Sequence, residues 1–183
     1  MTTRTVNSRW IATGDPGVRE TLQIMQRVVH AAIADPSFVW WARELVNDCP
    51  PRQELCCAQT IREYVRRSVW FCRDPLGVEN ITPPLEHMRK LRGNYGGHVL
   101  GDCDDAATLS AALGMAVGLP AQFQALAFGR PDDPPGTVYT DVNAPYMHVY
   151  TTLMADGVWH EMDTTRPDQM LPPTIVRRLT MRV

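Results

Sequence analysis

A chain of 183 residues has the size of one domain, and with 44% hydrophobic and 21% charged residues it can bury a real core. That composition excludes a disordered chain and a coiled coil. Eighteen Lys and Arg against 20 Asp and Glu, a net charge of −2 and no block of like charge leave no electrostatic footprint for nucleic acid or an anionic membrane.

The opening MTTRTVNSRW lacks an apolar stretch followed by a small-residue cleavage site, so the expected location is cytoplasmic. Asp15-Pro16 offers a cap and a proline at the first helical position. Val18, Leu22, Met25, Val29 and Ile33 then mark one apolar face, which predicts a helix over about 16–34. Ser37 is the expected cap of a shorter helix through Trp41 and Leu45, ending before Cys49-Pro50-Pro51. A third helix is predicted over about 51–69, with Leu55, Ala58, Ile61, Val65 and Val69 inward and Arg62, Arg66 and Arg67 solvated. The pairs Trp40-Trp41 and Trp70-Phe71 read as core or helix-packing aromatics.

From Trp70 to Gly101 turn chemistry dominates: Asp74-Pro75-Leu76-Gly77, Pro83-Pro84 and Asn94-Tyr95-Gly96-Gly97, with one short helix around Leu85, Met88 and Leu91. A long ordered loop in a compact domain is more often functional than idle. Beyond it, Asp102 to Val117 is apolar nearly all round, which predicts a central helix. Although Ala106 to Gly129 is uncharged over 24 residues, Gly114, Gly118, Pro120 and four polar side chains argue against a membrane span. Gln122 to Leu126 alternates as a strand, and Arg130 to Gly136 (RPDDPPG) reads as an exposed loop. Strands over about 146–154 and 158–163 flank Asp156-Gly157, a strong hairpin signal. Arg177-Arg178 reads as an exposed pair.

Five cysteines, Cys49, Cys56, Cys57, Cys72 and Cys103, are an odd number without zinc-site spacing, so a disulfide scaffold is not expected. The four upstream ones read as small buried hydrophobes. Cys103 differs, because it occupies the first turn of the central helix in GDCDDAATLSAAL. Unpaired amides and the positive end of the helix dipole there stabilise a thiolate. Asp104 and Asp105 oppose that charge, so a nearby cation, such as an imidazolium, must compensate.

A two-residue turn at Asp156-Gly157 sets Ala155 opposite Val158, so paired positions sum to 313 and His148 falls opposite Thr165. Asp163 is then a diagonal neighbour on the face of His148, at a Cα separation of about 7–8 Å. Glu161 shares the face one pleat further away. A thiol, a base and an acid that orients the base are the parts of a Cys-His-Asp triad. His30, His87, His98 and His160 lack a carboxylate at informative spacing, with His98 the reserve base because it is close to Cys103 in sequence. Asp102, Asp104 and Asp105 lack the rest of a calcium loop, so neither a metal nor a cofactor is expected.

The segments GDCDDAATLSAALGMAVGLPAQF and MHVYTTLMADGVWHEMDTT resemble the transglutaminase-like superfamily over about 100–166. The resemblance implies a papain-like α+β fold in which the nucleophile's helix packs on an antiparallel sheet. It implies Cys103 as nucleophile, His148 as general base and acid, and Asp163 as the orienting group. The wider chain, including ATGDPGVRETLQIM and DPLGVENITPPLEHM, resembles transglutaminase-like proteins encoded among structural genes of tailed bacteriophages, implying a tie to the virion, its assembly and its structural proteins. Two positions depart from the superfamily: Tyr150 stands where a tryptophan often follows the histidine, and Gln122 where an arginine follows the Gly-Leu-Pro turn.

The expected organisation is one transglutaminase-like domain over 1–183, helical to about 100 and catalytic over about 100–166. The expected activity is cysteine-dependent amide hydrolysis or acyl transfer on a protein or peptide, with hydrolysis preferred over cross-linking. The rival is a virion or assembly protein that keeps the fold and grips a peptide without turnover.

Overall fold

A computed structural model describes residues 14–75, 80–93, 97–128, 146–165 and 175–183. The element order is α1 (Gly14–Ile33), α2 (Pro36–Leu45), α3 (Glu54–Ser68), β1 (Val69–Phe71), α4 (Pro84–Gly93), β2 (Val99–Gly101), α5 (Cys103–Ala116), β3 (Ala121–Phe128), β4 (His148–Ala155), β5 (Val158–Glu161) and β6 (Ile175–Arg182). This is an α+β arrangement, helices first and an antiparallel sheet after. The RPDDPPG loop lies outside the described residues, as do 76–79 and 94–96 of the two turn segments.

α5 is the centre of the packing. Its run of Ala and Leu lets neighbours approach from every side, and it touches α1, α2, α3 and α4 as well as β2, β3 and β4. All residues from Asp104 to Gly114 are buried, so the all-round apolar pattern of the sequence is that of a helix enclosed on all faces. Around it the inward stripes of the other helices close the core: Leu22, Met25 and Val29 of α1, Phe38 and Trp41 of α2, Ala58, Ile61 and Val65 of α3.

The four-stranded sheet has the order β5-β4-β3-β6, all neighbours antiparallel. β3 is central, and Phe123 to Ala127 are all buried. β6 escapes the sequence reading, yet Leu179, Met181 and Val183 pack on the core in alternation, a period-two signal hidden among arginines. Arg177 is correspondingly not an exposed residue; it forms an ion pair with Asp15 and stacks over the Tyr146 ring at 4.8 Å.

Four further differences have local causes. Asp35, not Ser37, caps α2: its Oδ1 accepts the Ser37 N–H at 2.8 Å, and Pro36 takes the first turn. The stretch after α3 is not wholly irregular, because β1 and β2 pair in parallel from Val69↔Val99 to Phe71↔Gly101. Only Trp41 of the four aromatics in question is core; Trp40, Trp70 and Phe71 are each more than half exposed. Cys49 and Cys56 are not free thiols either. The α2–α3 turn folds back to bring their Cα atoms 5.8 Å apart, within the range a disulfide spans, and the two sulfurs are bonded. Cys57 stays a half-buried thiol, while Cys72 is exposed.

Candidate active site

β2 delivers the chain to the start of α5. The Cys72 N–H bonds the Gly101 carbonyl at 2.9 Å, Asp102 is the extended N-cap, and Cys103 is the first helical residue, half-buried. Asp102 makes no side-chain capping bond, and the helix ladder begins with the Ala106 N–H on the Asp102 carbonyl at 3.1 Å. The helix therefore presents its positive end where the thiol sits. Gly101 cannot carry a side chain, because a Cβ there would lie 2.6 Å from Asp105 Oδ2.

The β4–β5 hairpin positions the second half of the site. Asp156 (φ 51°) and Gly157 (φ 77°) are both left-handed, as a primed two-residue turn demands. The register follows: Ala155↔Val158, Met154↔Trp159, Leu153↔His160 and Thr152↔Glu161. The tip is tied down by the Asp156 N–H, which donates to Glu54 Oε2 of α3 at 2.7 Å. Past the end of β5, the Met162 N–H still bonds the Thr151 carbonyl at 2.8 Å and carries Asp163 alongside the start of β4.

His148 and Asp163 meet there, Nε2 to Oδ2 at 2.8 Å, with about 9% and 10% of their side chains exposed. The other carboxylate oxygen of Asp163 accepts the Thr165 N–H and hydroxyl, each at 3.2 Å, which fixes the plane of the carboxyl group. One pleat away, the Tyr150 hydroxyl donates to Glu161 at 3.0 Å. Burial first, then the Glu161 charge, pushes that hydroxyl up to about 12. The imidazole lies between the rings of Phe128 and Tyr150, with centroids 6.2 and 6.0 Å away. Tyr150 thus supplies a ring beside the histidine and a second polar rung across the hairpin.

Two contacts set the direction of α5 against β4. The Thr151 hydroxyl donates to the Ala107 carbonyl at 2.6 Å, and Gly114 lies against Leu153. Both chains advance the same way between these points, so their first residues, Cys103 and His148, are at the same end of the helix–strand pair. Strand alternation places His148 with Tyr150 and Thr152, on the face opposite the Thr151 and Leu153 side chains that meet α5.

The other candidates are placed elsewhere. His98 is exposed, with Nδ1 2.9 Å from the Arg67 carbonyl oxygen and its ring stacked on Trp70 at 4.2 Å. His87, which had no visible carboxylate in the sequence, has one in space: its Nε2 is 3.7 Å from Asp105 Oδ1, and both side chains are buried. Residues 87 and 105 lie on different elements, so no local spacing could reveal the pair. Asp102, Asp104 and Asp105 offer oxygens within 4.8 Å of one another. Asp105 Oδ1 already accepts the buried Thr82 N–H at 2.7 Å, which is the chemistry of a braced helix start. Among the described residues no helix is long and apolar enough to cross a membrane.

No family model and no curated protein matches the chain. Two solved structures resemble it. One is described as a candidate protease from Parabacteroides distasonis, at a TM-score of 0.57 and 14% identity over 79% of this chain and 26% of that one. The other is described as a candidate cysteine protease from Cytophaga hutchinsonii, at a TM-score of 0.49 and 17% identity over 71% and 37%. The chain thus spans well under half the length of either. What it shares with the first is a fold, the mixed arrangement of helices and antiparallel sheet described above.

Proposed function

We propose that this chain is a cysteine-dependent amide hydrolase or acyltransferase acting on protein or peptide, with Cys103 as nucleophile, His148 as proton carrier and Asp163 as its orienting partner. The observation that carries the reading is the His148–Asp163 hydrogen bond at the end of β4 that lies beside the start of α5. Asp163 takes Nε2, so Nδ1, the nitrogen nearer the backbone, serves the thiol. The finer placement among transglutaminase-like proteins rests on the two sequence motifs, and the tie to phage particles on the looser resemblance of the N-terminal half.

The chemistry follows from those roles. Proton transfer from Sγ to Nδ1 gives thiolate and imidazolium, the pair that the helix dipole and Asp163 both favour. Sγ attacks the amide carbonyl carbon, and the Cys103 backbone N–H helps hold the oxyanion. Imidazolium returns its proton to the leaving amine nitrogen, the C–N bond breaks, and a thioester remains. Water then loses a proton to His148, attacks the thioester carbon and releases the acid with the thiolate restored. An amine in place of water gives transamidation. Hydrolysis is preferred over transamidation, a choice that depends on how far water is kept from the thioester.

The test is site-resolved alkylation by iodoacetamide against pH. Cys103 is expected to react at neutral pH at least tenfold faster than exposed Cys72, and His148→Ala to abolish the difference. Equal rates for the two thiols in the unaltered protein overturn the reading.

A further inference from the structure

The structure assigns a second imidazole to this site: we propose that buried His87 is the cation that balances Asp105, so that the first turn of α5 tolerates a Cys103 thiolate. The inference rests on Cys103 being the nucleophile and adds two positioning residues, neither of which touches substrate.

The start of α5 carries three neighbouring carboxylates. Asp102, Asp104 and Asp105 surround the thiol in sequence, and the Asp74 carboxyl is pushed up by burial and further by Asp102 and Asp105. A thiolate added there needs compensation beyond the helix dipole, which is equivalent to only about half a charge. His148 lies at the start of β4 and is engaged by Asp163. Among the described residues, the charged groups at the helix start are Asp74 from the segment after β1, Asp102, Asp104 and Asp105 from α5 and its cap, and His87 from α4, while the His148–Asp163 pair stands at the start of β4.

His87 is the buried cation candidate among them. Its side chain is about 1% exposed, and among the described residues neither ring nitrogen has a hydrogen-bond partner. Its Nε2 is instead 3.7 Å from Asp105 Oδ1, whose side chain is about 3% exposed. A buried carboxylate with one amide donor and a buried imidazole meet there without a hydrogen bond between them, and each is costly to bury. An imidazolium gains an attraction to that carboxylate, 3.7 Å away in a buried place, which a neutral ring does not. The carboxylate is also braced: Oδ1 accepts the Thr82 N–H, and Oδ2 packs against Gly101. One side chain thereby connects the loop before α4, the end of β2 and the first turn of α5. The pair holds the helix start in place and cancels a charge that would otherwise repel the thiolate.

The electrostatic role has a signature that a merely structural role lacks, because the two partners carry opposite charge. The measurement is the pH midpoint of Cys103 alkylation in the full chain, with thermal melts as the folding control. His87→Gln is expected to raise that midpoint by about one pH unit, and Asp105→Asn to lower it by a similar amount, as charges at this range do. The double variant returns close to the starting value. Shifts of the same sign, or lost melting temperature with an unchanged midpoint, overturn the proposal while leaving the nucleophile in place. A Cys103 midpoint near that of an ordinary thiol in the unaltered protein overturns the nucleophile reading instead. Should either variant fail to fold, nitrogen NMR of the unaltered protein decides: both His87 ring nitrogens protonated at pH 7 supports the assignment, and a neutral ring overturns it.

Discussion

At the C-terminal end of the α5–β4 pair, Gly114 lies so near Leu153 that a Cβ would overlap the leucine side chain. At the N-terminal end, the same two elements begin with Cys103 and His148, backed by Asp105, His87 and Asp163. The first end is joined by shape alone, apolar atoms meeting at the closest approach a glycine allows. The second is held by hydrogen bonds and charge, which constrain direction and can exchange protons. A helix packed on a sheet needs only the first kind of joint to be stable. The second kind costs desolvation and gives geometry in return, which is what a reacting group requires.

That contrast can be broken from either side. The largest effect is expected at the polar end: His148→Ala should reduce amide cleavage by about 10²–10⁴-fold, with Asp163→Asn reducing it less and neither lowering the melting temperature appreciably. Product release from a peptide library, read beside thermal melts, separates the two quantities. Loss of melting temperature in proportion to loss of activity would make the polar end structural.

Gly114→Ala probes the apolar end. Replacing a helical glycine by alanine ordinarily gains about 1 kcal/mol of helix propensity, whereas forcing a methyl group into a filled space costs about 1–3 kcal/mol. The overlap with Leu153 should win, so the variant is expected to lose about 1 kcal/mol and roughly 2–4 °C of melting temperature while kcat is retained. A stabilised variant would show that Leu153 has room to turn away.

At neutral pH the smallest effect belongs to Tyr150, between the two ends, because its proton is lost only in alkali. Its hydroxyl is held at about 12 by burial and Glu161, above the ordinary tyrosine value, so the folded state binds that proton more tightly than the unfolded chain does. The stabilisation is complete below about pH 10 and is lost as pH rises through about 12. Chemical unfolding midpoints should therefore fall over that window, and fall less steeply in Tyr150→Phe. An unchanged slope would remove Tyr150 from the hairpin's polar rungs.

The parts of this fold that sequence makes legible are those set by local periodicity. α1, α3 and α5 follow from apolar spacing, and the hairpin register follows from two left-handed residues at its turn. That register is enough to set His148 and Asp163 on one face, because strand alternation transmits the turn's phase along eight residues. What escapes is settled by contacts between distant segments. β1 and β2 are three residues each and exist only as partners of one another. The Cys49–Cys56 bond depends on the path of a turn, and the His87–Asp105 pair on how α4 docks against α5. β6 misleads in a different manner, since its arginines suggest a solvated tail while every second residue faces the core.

The arginines of β6 also bear on how copies of the chain meet. Among the described residues β6 and β5 are the outer strands of the four-stranded sheet, where unsatisfied backbone groups invite a foreign strand to add on. β5 offers four residues to such a visitor and ends in Glu161. β6 offers eight, but the exposed Arg178 and Arg182 are among them, and two copies approaching edge to edge would bring like charges together. The sheet thus resists self-templated stacking at both margins, one by brevity and the other by repulsion, a protection that becomes more valuable as the protein is concentrated.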